Sequence, residues 1–132
     1  MRVLHLFTGS DGRSHFRDLE LAVTADAGGL FVELREAVQG MSIRDLVPGW
    51  STDFHTAPRR QLVVQLSGVG ELECGDGSIR RLHPGDLLLA DDTTGEGHRS
   101  REVEGPRRQL LIYLDPALDV DALAPGFPFW SR

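Results

Sequence analysis

Between Gln61 and Leu114 the chain alternates short apolar or half-apolar runs with clusters of glycine, proline and aspartate. Gln61-Leu62-Val63-Val64-Gln65-Leu66 is rich in strand-favouring residues and is stopped by Ser67-Gly68, while Glu71-Leu72-Glu73-Cys74 has the two-residue period of a strand with one buried face. Asp76-Gly77 predicts a hairpin, because Asp-Gly suits the two positive-φ positions of a type I′ turn; Ile79 to Leu82 is the return strand. His83-Pro84-Gly85-Asp86 marks the next turn. Leu87 to Ala90 is short and bounded by turn residues, which favours strand over helix, and Gln109 to Leu114 is a further strand ended by Asp115-Pro116. Upstream, Val3 to Phe7, Leu30 to Leu34 and Met41 to Leu46 are predicted strands. Only Asp119 to Ala124, just before Pro125, reads as helix. Short strands with Gly, Pro and Asp turns predict an all-β sandwich or barrel.

Composition narrows this to one domain. A chain of 132 residues, 40% hydrophobic and 26% charged, is long enough to bury a core without disulfides, and its single cysteine, Cys74, has no partner within the chain. The N-terminus lacks the pattern of a secretory leader, and no apolar run approaches the roughly 20 residues of a membrane span, so a cytoplasmic protein without membrane contact is expected. A net charge of −6, with arginines scattered in pairs, argues against nucleic acid as a partner. All 14 basic residues are Arg, which removes Schiff-base chemistry on a lysine amine.

The segment Gly49-x5-His55-x-Ala57-x3-Gln61-x6-Gly68 has the spacing of the first signature of the cupin superfamily, G-x5-HxH-x3-E-x6-G, with Ala57 and Gln61 in place of the second His and the Glu. Gly85 opens a counterpart of the second signature, G-x5-P-x-G-x2-H-x3-N. Asp91 stands for its Pro, two extra residues precede Gly95, and the run ends at His98 with Glu102 at the Asn position. The chain therefore resembles a small single-domain cupin of the conserved-barrel (cupin-2) type. The resemblance implies a double-stranded β-helix, or jelly roll, over residues 41–114. Residues 1–40 would supply strands that pack on the barrel or on a dimer partner, and residues 115–132 a C-terminal tail rich in Pro and aromatic residues.

In such a barrel successive side chains alternate between interior and exterior, so His55 and Gln61 can face one cavity, with His98 arriving from a distant strand. Two imidazoles and an amide oxygen form a candidate site for a divalent ion (Fe, Zn, Ni or Mn), bound less tightly than by a set containing carboxylate. The missing carboxylate has a candidate in Asp53, two residues before His55 and on the same face of a regular strand; Asp91 and Asp92 are further candidates, or else lie in a solvated turn. Without metal, His55 and His98 read as hydrogen-bonded cavity histidines.

Arg59, Arg60 and Arg101 are candidate clamps for an anionic substrate group, each also readable as charged surface. Gln65 and Tyr113 complete the candidate substrate pocket, Tyr113 being equally a core residue. His5, His15 and His83 read as surface or turn histidines, and Cys74 as an inert thiol. The tail Ala124 to Trp130 holds three of the nine aromatic residues and is expected to plug the barrel or to cover a partner, with a homodimer as the expected assembly. Two functions of different kinds follow. One is a metal-dependent enzyme (oxygenase, isomerase or lyase) acting on a small, anionic molecule; the other is a metal-free binder or sensor of a small molecule without catalytic activity. A weaker third is an accessory subunit docking through its tail.

Overall fold

In the computed structural model, which describes residues 1–125, nine strands, one 3-10 turn and one short helix follow one another: β1(Arg2–Thr8), β2(Ser14–Glu20), β3(Thr24–Asp26), β4(Gly29–Phe31), a turn at Arg35–Ala37, β5(Val38–Asp45), β6(Gln61–Cys74), β7(Ile79–Leu82), β8(Leu87–Asp91), β9(His98–Leu114) and α1(Val120–Leu123). Seven strands form one curled sheet in the order β2-β1-β8-β6-β9-β5, with β7 added to β6; β3 and β4 form a separate hairpin. The expected all-β jelly-roll barrel is the fold observed. Residues 126–132, and with them the aromatic end of the expected tail, lie outside the described residues.

The barrel closes because two strands are long enough to serve both of its walls. β6 has 14 residues and β9 has 17, and they pair antiparallel from Gln61↔Tyr113 to Cys74↔His98. Between Gln65 and Gly70 the register slips at three places, and there the pair bends from one wall to the other. Ser67-Gly68 is therefore a bend within a strand and not its end. A Cβ at Gly68, which sits at φ 70°, would be 2.5 Å from the Pro106 carbonyl oxygen, so only glycine lets the two bent strands touch.

Strand alternation divides the apolar residues into two clusters. Leu4, Leu6, Val63, Leu72, Cys74, Leu82, Leu88 and Leu111 line the barrel interior, while Val3, Leu19, Leu89, Leu114 and Val120 pack on the outer face beneath α1. Cys74 is fully buried, and loss of hydration pushes its thiol up to about 12. In the folded protein at pH 8 a disulfide reagent is expected to leave it unmodified over an hour and to label it at once in urea. Rapid labelling of the native chain would contradict this burial.

Two further local expectations need correcting, and one strand of the main sheet was missed. The Asp76-Gly77 hairpin is not type I′: only Gly77 has positive φ (86°), because the Asp76 carboxylate accepts from both the amide and the hydroxyl of Ser78 and fixes the turn itself. The strand predicted at Leu30 to Leu34 is shortened to Gly29–Phe31 and followed by the 3-10 turn. β2 went unpredicted. Its buried positions include Ser14 and Arg17, so the polar residues that face inward hide its alternation.

Candidate functional site

The segment before β6 runs beside the first residues of β9. Ser51 bridges to Arg101, and His55 and His98 exchange both backbone hydrogen bonds, each 2.9 Å long. This brings the two imidazoles together with ring centroids 4.7 Å apart and planes 50° apart. The approach depends on Gly97 (φ 82°), where a Cβ would fall onto the His55 carbonyl.

Each ring is oriented through Nδ1. His55 Nδ1 lies 3.0 Å from the Asp53 backbone carbonyl, and His98 Nδ1 lies 2.6 Å from Asp92 Oδ2, which also accepts from the Ser14 hydroxyl at 2.6 Å. Each Nδ1 faces an oxygen that only accepts, so Nδ1 is the donor in each ring, and neither Nε2 has a hydrogen-bond partner among the described residues. Both rings line one cavity, into which β6 also turns Gln61. The Gln61 amide likewise has no side-chain partner among the described residues. His98 and Gln61 are buried, whereas His55 is exposed at the cavity mouth.

No carboxylate joins the imidazoles: among the described residues no group of three His, Cys, Asp or Glu side chains is placed to hold a metal ion. Asp53 lies outside regular strand, is exposed, and turns its carboxylate to the Phe54 amide at 2.8 Å. Asp91 and Asp92 are not in a solvated turn. Asp92 is fully buried behind His98, the position from which a carboxylate orients and polarises an imidazole ligand. Asp91 ends β8 and points to the opposite face.

The cavity, about 190 Å³, is walled by Ala57, Val63, Leu72, Leu82, Leu88 and Leu111 at its apolar side. Of the expected pocket residues, Arg59 and Tyr113 line it: the Arg59 guanidinium stacks 4.4 Å above the Tyr113 ring, whose hydroxyl is 2.7 Å from Ser42 Oγ. Arg60 does not. Being next to Gln61 at the start of β6, it points to the other face, where it bonds Asp91 at 2.8 Å and donates to the carbonyls of Asp115, Pro116 and Leu118. Gln65 faces inward but sits behind Gln109, fully buried and donating to the Ser67 and Gly68 carbonyls. Arg101 faces a neighbouring groove and binds Glu71 Oε1 at 2.8 Å.

The structure adds residues that the sequence did not single out. Arg44, Trp50, Glu71, Arg107 and Gln109 also line the cavity. Glu71 is clamped between Arg101 (2.8 Å) and Arg81 (3.1 Å), and the hydrogen bond from Arg101, reinforced by Arg81, holds its carboxyl below the usual range. His5, expected at the surface, is completely buried on β1. Its Nδ1 accepts from Arg17 at 2.9 Å and its Nε2 faces Asp91 at 2.9 Å, within a chain of polar contacts running Arg60–Asp91–His5–Arg17–Asp121 on the outer face. The register His5↔Arg17 makes that chain, and no local spacing announces it.

No known protein family's sequence profile matches the chain, and no curated protein does. Among solved structures it is similar to a cupin 2 conserved barrel domain protein from Leptotrichia buccalis, with 26% identity, 64% of this chain and 44% of that one covered, and a TM-score of 0.39. A protein from Neisseria meningitidis shares 15% identity over 71% of this chain and 82% of its own, at a TM-score of 0.45. A conserved protein of unknown function from Streptococcus pyogenes shares 17% over 76% and 96%, at 0.41. The chain's own strand order and signature spacing agree with the cupin resemblance, and the barrel reading stands on them.

Proposed function

We propose that this cupin-like barrel binds a small anionic molecule at a divalent metal ion held by His55, Gln61 and His98. The observation that carries the reading is the shared orientation of the two rings: both Nδ1 atoms are engaged by fixed oxygens, and both Nε2 atoms remain uncommitted in one cavity. Two imidazoles and a neutral amide suit Zn, Ni or Fe better than Mn, which favours carboxylate and water. Bound there, the ion would supply Lewis acidity toward a ligand that chelates through oxygen, its charge being uncompensated by the protein ligands. The chain's own part is to exclude water with the apolar wall, to fix His98 through Asp92 and Ser14, and to draw in an anion past Arg59.

A metal-free binder is the second reading, favoured by the lack of a third imidazole, thiolate or carboxylate among the described residues. Calorimetric titration of chelator-treated protein with Zn²⁺, Ni²⁺, anaerobic Fe²⁺ and Mn²⁺ separates the two. We expect one ion per chain, a loss of 100-fold or more in affinity for His98→Ala, and tighter binding for Gln61→Glu, which restores a carboxylate. Affinity left unchanged by His98→Ala would refute the metal reading.

A further inference from the structure

We propose that Arg44 and Arg107, aligned by Gln109, form a second subsite in the same cavity that takes a carboxylate or phosphate group of the ligand. The inference deepens the proposed small-molecule reading and rests on its cavity, but not on its metal.

The pair is built by register. Arg44 on β5 faces Gln109 on β9, and Gln109 faces Gln65 on β6, so three polar side chains lie in a row across three strands. The Gln65 amide nitrogen donates to the Ser67 and Gly68 carbonyls, which leaves its oxygen to accept from Gln109 Nε2 at 2.8 Å. Gln109 is thereby forced to present its own oxygen to Arg44, which donates to it from both Nε (3.1 Å) and Nη2 (2.8 Å). The relay has one direction, fixed at its buried end by backbone carbonyls. It holds the Arg44 guanidinium in place without neutralising it.

Arg107 is the second member. It is 3% exposed, donates from Nη2 to the Trp50 carbonyl at 2.9 Å, and has a buried Nε with no hydrogen bond. Glu102 Oε1 is 3.5 Å from that Nε and itself unsatisfied, while the other Glu102 oxygen is held by the Gly49 amide at 2.9 Å. Glu102 thus offsets part of the Arg107 charge from outside the cavity. Arg44 has no carboxylate within ion-pair distance among the described residues, and neither has Arg59 at the mouth. Among the described residues the one carboxylate lining the cavity, Glu71, is already shared by Arg81 and Arg101.

Arg107 is buried and Arg44 exposed, and their guanidiniums line one small cavity with only the Glu102 contact to Arg107 offsetting their charge among the described residues, an arrangement that an anion would complete. Desolvation, and after it the nearby Arg107 charge, lower the Arg44 pKa, in keeping with a site short of negative charge. The planar forks match a carboxylate or a phosphate, both of which accept paired N–H donors. With two imidazoles lining the cavity at His55 and His98 and an anionic group taken at Arg44 and Arg107, the ligand class is a short organic acid that carries a further polar function.

The test uses the full chain, stripped of metal by chelator so that the ion plays no part. Inorganic phosphate and malonate are titrated by thermal shift and calorimetry, with malonamide as the neutral analogue. We expect saturable stabilisation by at least one of the two anions and none by malonamide. Phosphate alone would assign a phosphoryl group, and malonate alone a carboxylate. Arg44→Gln, on an exposed stem, is expected to weaken binding tenfold or more, as is Arg107→Lys, which keeps charge but loses the fork; Arg108→Gln, whose partner is the exposed Asp45, is expected to leave it unchanged. Should Arg107→Lys fail to fold, Arg44→Gln decides. No binding by the unaltered chain, or equal binding by Arg44→Gln, overturns the subsite. Anion binding that persists where the metal titration fails would sink the metal site alone.

Discussion

Asp91→Ala is expected to lower stability by about 3–5 kcal/mol, because it removes the carboxylate that both the Arg60 guanidinium and the buried His5 ring bond, and leaves the Arg60 charge without its counter-ion. Arg60 and Asp91 have side chains 13% and 7% exposed, and the His5 on the other side is completely buried. Burial alone would raise the Asp91 carboxyl, but the hydrogen bonds from His5 and Arg60 outweigh it and hold it below the ordinary aspartate range. A folded-state value below the unfolded one means that this contribution is fully present above the unfolded value near 4 and is lost as pH falls through the lower, folded one. In urea at pH 7 the loss corresponds to a midpoint lower by roughly 2 M, for a slope near 2 kcal/mol per molar. Asp45→Ala serves as comparison. Its ion pair with Arg108 is exposed on both sides, and its removal is expected to leave the urea midpoint unchanged. Equal losses for the two variants would mean that the buried polar chain contributes nothing special.

Gly97→Ala is expected to abolish metal binding while leaving anion binding within about threefold. Alanine at φ 82° costs on the order of 1–2 kcal/mol, and the same torsional cost applies to Gly77→Ala at φ 86°. The surroundings differ. Nothing lies within 4 Å of a Cβ at Gly77, but at Gly97 it meets the carbonyl of His55, part of the backbone pair that joins His55 to His98. Relief requires the two backbones to separate, and the imidazoles separate with them. Calorimetric titration should show Gly77→Ala binding metal as the unaltered chain does. If Gly97→Ala also binds normally, the rings do not depend on this contact.

The sequence carried the fold because its turn chemistry and signature spacing are local: Pro84-Gly85-Asp86, Gly68 and the 55–61–98 constellation could all be read without knowing which strand pairs with which. The rest depends on pairing. Arg60 was misplaced for a simple reason, since it and Gln61 cannot both face inward once β6 begins at Gln61. Asp92 and His5 read as polar residues near turns because nothing local shows that their partners, Ser14 and Arg17, lie on a strand whose inward positions are themselves polar. The Arg44–Gln109–Gln65 row joins three strands at sequence separations of 65 and 44 residues, beyond the reach of any periodicity.

The slipped register between Gln65 and Gly70 has a consequence for ligand choice. His98 and Gln109 belong to the same strand, on either side of that bend, so the span between the proposed metal and anion ends is set by the arc of one continuous ribbon rather than by mobile loops. A homologous barrel could therefore be retuned to a longer or shorter acid by gaining or losing a single residue at the kink, with every contacting side chain left as it is.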